Sequence, residues 1–208
     1  MKALSVRAPW WWAILHGKPV ENRDSTIRRR SLTVRRSSRE VRRDMVATAV
    51  ISECGRYRYR LYRSWADGPF VVFLMFNPST ADATTDDPTI RKCIGFAQRW
   101  GYPGLTVVNL FALRSTDPRA VSKALYADAV GLENDEAILT ACATAREVIA
   151  AWGCGQHMKG HRDRATKVLK LIRETYPALE VRCLGRSADG LPRHPLMLAY
   201  STELQQFS

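Results

Sequence analysis

The residues with most chemistry to offer stand at the ends of apolar runs. The run Phe70–Phe76 passes directly into Asn77-Pro78-Ser79-Thr80-Ala81-Asp82, and a second run, Leu105–Phe111, contains Asn109. A third, Val148–Trp152, stops at Gly153, and a fourth expected strand, Glu180–Leu184, leads through Gly185 to Arg193-His194-Pro195. An amide inside an apolar run costs free energy unless partnered, so Asn109 calls for a binding partner. A side-chain amide offers donor and acceptor side by side, and a neutral imidazole offers one of each. No Gly-rich loop follows the first run, which argues against a dinucleotide or P-loop site. His157 and His161 sit four apart near a glycine-bounded turn and lack a third ligand, so neither metal nor cofactor is expected.

These residues need a frame. Phe70–Phe76 is unbroken in its apolarity, as expected of a strand covered on both faces. Asp87-Pro88 opens a helix, with the aspartate as cap, and Ile90, Cys93, Ile94 and Ala97 follow at helical spacing. The alternation then repeats. Leu105–Phe111 is followed, after a loop, by a helix from about Glu133 carrying Ile138, Ala141, Cys142 and Ala145. Val148–Trp152 is followed by a helix carrying Ala165, Val168, Leu169 and Ile172, then by a strand over Glu180–Leu184. Strands alternating with helices imply right-handed crossovers and a parallel sheet. The expected fold is α/β: a central four-stranded, mainly parallel sheet with helices on both faces. Tyr57, Tyr59 and Leu61, alternating with Arg56, Arg58 and Arg60, add an N-terminal strand with one basic face. In such sheets ligands bind beyond the carboxyl ends of the strands, where the candidate residues lie.

Charge points to a partner. The net charge of +12 is concentrated early: residues 1–65 hold 16 Lys/Arg against 5 Asp/Glu, and the rest hold 16 against 15. Residues 25–44 are an Arg-rich arm or linker that includes Arg28, Arg29 and Arg30. A basic segment on a neutral domain suggests a polyanion, nucleic acid first, although a solvated leader has the same composition. No apolar run approaches the roughly 20 residues needed to span a bilayer, so no membrane partner is expected. Pro9 and His16 interrupt the short apolar run Trp10–Leu15, and no small-residue cleavage site follows. The five cysteines (Cys54, Cys93, Cys142, Cys154, Cys183) are scattered with no C-x-x-C pair, so reduced thiols in a cytoplasm are expected. Oligomeric state leaves no mark in the sequence.

Several motifs resemble known families. Residues 1–24, with a short strand, a Pro-Trp helix start and Val20-Glu21-Asn22-Arg23, resemble the opening of ASCH domains, which are PUA-like barrels associated with RNA. Asn77–Asp82, Asp86-Asp87-Pro88-Thr89, Val108–Phe111 and Pro192–Leu196 resemble domain-of-unknown-function family 1643 over roughly residues 52–200. Residues 45–208 form one α/β domain on this reading. The order of the same motifs is similar to the uracil-DNA glycosylase superfamily. That resemblance implies that Asn77 positions the attacking water, Asn109 reads the base edge and His194 stands beside a base oxygen. Met75 and Ser79 stand where glycosylases have glycines, Leu196 replaces a serine, and no apolar wedge for base flipping is evident.

The residue types suit that task. One amide can satisfy both the carbonyl and the imide N–H of a uracil-like base. An imidazole N–H aimed at the carbonyl stabilises the charge that the leaving base acquires. Phe76, Phe111 and Trp152 are available to stack the base, with Pro78 and Ser79 shaping the same loop. Asp82 is a second candidate to activate water, while Arg114, Arg186 and Arg193, with Arg28–Arg30, are candidates for nucleic-acid backbone contact. Structural alternatives stand beside each: Asn77-Pro78 as a turn former, Asp87 as a helix cap, His194 as a loop residue. The expected function is base recognition on nucleic acid, DNA before RNA, with metal-independent hydrolysis of an N-glycosidic bond. The rivals are a non-catalytic binder or modified-base reader, and a nucleoside or nucleotide hydrolase.

Overall fold

The computed structural model describes residues 45–153, 161 and 163–207. The ASCH-like fragment, the Arg-rich arm and His157 therefore lie outside the described residues. The described chain is a mixed α/β fold with a seven-stranded sheet. Its elements are β1 (Val46–Ile51), β2 (Arg58–Ser64), β3 (Phe70–Met75), α1 (Pro88–Arg99), β4 (Gly104–Asn109), α2 (Pro118–Lys123), α3 (Tyr126–Val130), α4 (Asn134–Cys142), β5 (Ala145–Ala150), α5 (Arg164–Thr175), β6 (Glu180–Cys183) and β7 (Gln205–Gln206). The strand order is β1-β2-β4-β3-β5-β6-β7.

The sheet is larger than the four strands expected. β3 pairs in parallel with β4 and with β5, and β5 with β6. Antiparallel strands extend this block at both edges: β2 on β4 with β1 beyond it, and β7 on β6. Two N-terminal strands are added, where one was expected, and β7 is too short to leave a periodic signature. Ala145, expected on a helix face, begins β5, because α4 ends at Cys142. The connection between β4 and β5 also contains two short helices, α2 and α3, where only a loop was expected.

Period-two alternation divides the sheet into two packed faces. Val72 and Leu74 of β3 join Ile138 of α4 and Val168 and Ile172 of α5 on one side. Val71, Phe73 and Met75 join Ile90, Cys93, Phe96 and Ala97 of α1 on the other. These side chains are almost wholly removed from water. Burial of each large one contributes about 1.5–3 kcal/mol, which fixes the register of β3 between its neighbours. α1 starts where the sequence implies: Asp87 Oδ1 accepts from the Ile90 N–H at 2.8 Å, and Pro88 occupies the first turn. The first crossover carries the chain from β3 to β4 on one side, and the second carries it from β4 past β3 to β5 on the other. The exits of β3, β4 and β5 thus flank the point where strand order reverses, the usual crevice of an open sheet.

Candidate functional site

A cavity of about 430 Å³ occupies that crevice. Asn77 and Ser79 from the β3 exit, Asn109 from the end of β4, Trp152 and Gly153 after β5, and His194 all line it. The convergence links positions that are up to 117 residues apart in sequence. Phe76 and Trp152, both nearly buried, supply aromatic wall. The volume lies within the roughly 300–1,000 Å³ range of small-molecule sites.

Asn77, His194 and Asn109 are each held in one orientation. Asn77 Nδ2 donates to the Pro78 carbonyl at 2.9 Å and to the Ser115 carbonyl at 2.8 Å. Both amide hydrogens are thereby used, which leaves Oδ1 as the atom available to a ligand or water. The Ser115 N–H in turn donates to the Pro78 carbonyl at 2.9 Å, tying the β3 and β4 exits together. His194 Nδ1 accepts from the Leu196 N–H at 3.3 Å, so the neutral ring carries its proton on Nε2. Burial depresses the imidazole pKa below its ordinary value, and Asp87 only partly opposes that. The ring is thus an uncharged donor at neutral pH.

Asn109 is anchored from two sides. Its backbone carbonyl and that of Leu110 accept from Asn134 Nδ2 at 3.0 and 3.1 Å. Arg164 Nε donates to the Leu110 carbonyl at 2.8 Å, and its guanidinium also pairs with Asp135. The Asn109 side-chain oxygen accepts from Arg58 Nη2 at 3.3 Å. Arg58 itself is 2% exposed and donates through Nη1 to the Ala81 carbonyl at 2.9 Å. Burial pulls its pKa down to about 10, with Asp87 opposing, so it stays cationic at neutral pH.

Arg58 and Asp87 are the charged lining residues that the sequence did not assign to the site. Arg58 alternates with tyrosines and so reads as part of a solvated basic face. Asp87 carries a cap signature that accounts for it fully, yet only Oδ1 is used for the cap.

Other expected residues lie elsewhere. Asp82 does not line the cavity: its Oδ1 accepts from the Thr84 and Thr85 backbone N–H groups at 2.8 and 2.9 Å and from the Thr84 hydroxyl. Those bonds hold its carboxyl below the usual range and commit it to the loop. Phe111 is fully buried behind Phe76, with ring centroids 5.2 Å apart in an edge arrangement, and stacks on no ligand. The cause is local: the chain leaves β4 after Asn109, and the Phe111 N–H bonds the Phe76 carbonyl, turning the ring into the core. Pro78 is buried and contributes its carbonyl to Asn77, not a surface to the cavity. Arg114, Arg186 and Arg193 lie off the cavity; Arg114 bonds the Gly55 carbonyl at 3.2 Å, and Arg186 lies over the Phe207 ring at 4.5 Å. Arg28, Arg29 and Arg30 fall outside the described residues. No helix among the described residues is long and apolar enough to cross a membrane.

At the mouth, Leu196 lines the cavity and Met197 beside it is 88% exposed. Two apolar side chains on one short turn (Pro195–Met197) thus stand next to His194, at a place where the sequence showed no wedge.

The family model described as "Protein of unknown function (DUF1643)" matches residues 58–196. Those bounds run from Arg58 to Leu196 and enclose every residue that lines the cavity. No curated protein and no solved structure matches the chain.

Proposed function

We propose that this chain, a member of the DUF1643 family, uses its cavity to hold a nucleic-acid base and to hydrolyse the N-glycosidic bond of that base without metal. The observation that carries this reading is the convergence of Asn77, Asn109 and His194 on one cavity with aromatic wall. A flipped base would lie against Phe76 and Trp152, with its edge toward Asn109. Base–aromatic stacking contributes about 1–3 kcal/mol per base. Leu196 and Met197 at the mouth are suited to fill the gap that a flipped base leaves in a stack.

The chemistry follows from the fixed orientations. As the bond between sugar C1′ and base nitrogen breaks, its electron pair leaves with the base and the sugar becomes cationic. The neutral His194 offers its Nε2–H to the base oxygen where negative charge collects. A single such donor is typically worth a few kcal/mol of barrier. Water adds to C1′, held by the free Oδ1 of Asn77. The Asp87 oxygen that is not engaged in the helix cap takes the proton from that water, the role the sequence had suggested for Asp82. The cationic Arg58 nearby further favours an electron-rich leaving base.

The test is direct. Oligonucleotides carrying uracil, hypoxanthine or hydroxymethyluracil are incubated with the protein and treated with alkali, which cuts at abasic sites. Cleavage of at least one, abolished in Asn77→Ala and His194→Ala, is the expected result. Salt-sensitive binding without abasic product would instead make the protein a base reader. Release of base from free nucleosides but not from oligonucleotides would make it a nucleoside hydrolase.

A further inference from the structure

Arg58 is unusual among the cavity's residues because its contribution cannot be reversed. A guanidinium only donates hydrogen bonds, whereas a carboxamide can present either end. Arg58 is buried, enters from β2 and not from a parallel-strand exit, and forms no ion pair among the described residues. One of its N–H groups goes to the Ala81 carbonyl at 2.9 Å and another to Asn109 Oδ1 at 3.3 Å. With Arg58 on that side, the Asn109 oxygen must face the guanidinium. A flipped amide would set two donors against each other in a buried site. The Asn109 NH₂ is then the end left for the ligand, and no other hydrogen bond engages it among the described residues.

We propose that Arg58 is a positioning residue that sets base specificity: it locks the Asn109 amide so that the cavity presents N–H donors and selects a base with an oxo edge over one with an amino edge. The inference rests on the base-binding reading above. His194 works in the same sense, since its Nδ1 is occupied by the Leu196 N–H and only a donor remains. The two donors require acceptors on the ligand. An amino group facing Asn109 would meet a donor and leave both unpaired in a buried site. A solely structural Arg58 would weaken all ligands together when replaced. A positioning Arg58 changes their ratio.

The experiment compares deoxyuridine and deoxycytidine, which carry an oxo or an amino group at C4 and an N–H or a lone pair at the adjoining N3, by calorimetric titration of the full chain. Wild type is expected to bind deoxyuridine roughly tenfold or more tightly. Arg58→Lys keeps a donor-only group and keeps the ratio. Arg58→Gln can present either end to Asn109, and Arg58→Met presents neither; both bring the ratio toward one. Thermal unfolding of each variant establishes that it is folded, and the Lys–Gln contrast decides the matter if Arg58→Met is not. A Gln variant with the wild-type ratio, or a Lys variant that loses it, overturns the proposal. Wild type that binds both nucleosides equally overturns the role of Arg58 but leaves base binding standing. Wild type that binds neither overturns base binding and the inference together.

Discussion

Gly153 sits where a single added carbon should separate stability from function. Its φ is +84°, in the region that favours glycine, and a Cβ built there would lie 3.3 Å from His194 Cβ and 4.0 Å from Cγ. The first distance is shorter than ordinary van der Waals contact, so the His194 loop must retreat by a few tenths of an ångström. That loop is not free to move: Gly153 N–H donates to the Pro192 carbonyl at 3.1 Å, and Arg193 N–H to the Gly185 carbonyl at 3.0 Å. Gly153→Ala therefore carries a backbone cost of about 1–2 kcal/mol. For a chain of this size that lowers Tm by about 2–8 °C. Since a misplacement of about 1 Å can cost a hundredfold in rate, a displacement of a few tenths should cost about threefold to tenfold. Gly190→Ala is the control, with φ at +75° but nothing within 4 Å of the added carbon. It should lose a similar amount of Tm and none of its base affinity or cleavage. Equal functional loss in both variants, or none in Gly153→Ala, would refute the placement of His194 as a working group.

The remaining predictions concern the same cavity and its approach. Because burial depresses the His194 pKa below its ordinary 6.5, base affinity should be flat above pH 6.5 and fall below it, as protonation of Nδ1 breaks the bond from Leu196. The linked stability has the same sign: it is fully present above the ordinary pKa and is lost as pH falls through the depressed one. His194→Gln should remove this acid limb, and a wild-type profile flat to pH 4 contradicts it. Asn134→Ala removes the donor to the Asn109 and Leu110 carbonyls. It should cost about 2 kcal/mol, or about 4–8 °C in Tm, and should weaken base binding as well. Replacing Arg28, Arg29 and Arg30 together by alanine should weaken oligonucleotide binding for every sequence alike and flatten its salt dependence by about 0.9 for each phosphate no longer neutralised. An unchanged salt slope would exclude these three from backbone contact.

Three of the parallel strands were legible because strands buried on both faces need nearly unbroken apolar sequence, as Phe70–Phe76 supplies, and the fourth, Glu180–Leu184, by its alternation. Asn77, Asn109 and His194 stood out for the complementary reason that polar groups at the ends of such runs demand partners. Arg58 was not legible. An arginine alternating with tyrosines has the pattern of a solvated strand face, and only the tertiary packing of β2 against β4 and the Ala81 loop buries it. For a related reason Asp82 was expected at the site while Asp87, correctly read as the helix cap, was not. Both are loop aspartates before a helix, and which of them faces the cavity depends on the course of residues 82–87, where backbone N–H groups claim Asp82. Phe111 was misplaced because apolar content extends beyond the last ladder bond of β4, so the run does not reveal where the strand ends. The outer strands did not announce themselves for different reasons: β7 is only two residues long, and β1 is apolar without polar alternation, with Val46 and Val50 facing solvent.

The most direct measurement is a crystal structure of the protein grown with saturating deoxyuridine. The ring should lie between the Phe76 and Trp152 walls, its oxo edge on the Asn109 NH₂ and an oxygen within hydrogen-bond reach of His194 Nε2. A nucleoside ordered at some other surface while this cavity holds only water would contradict the assignment of the cavity as a base site.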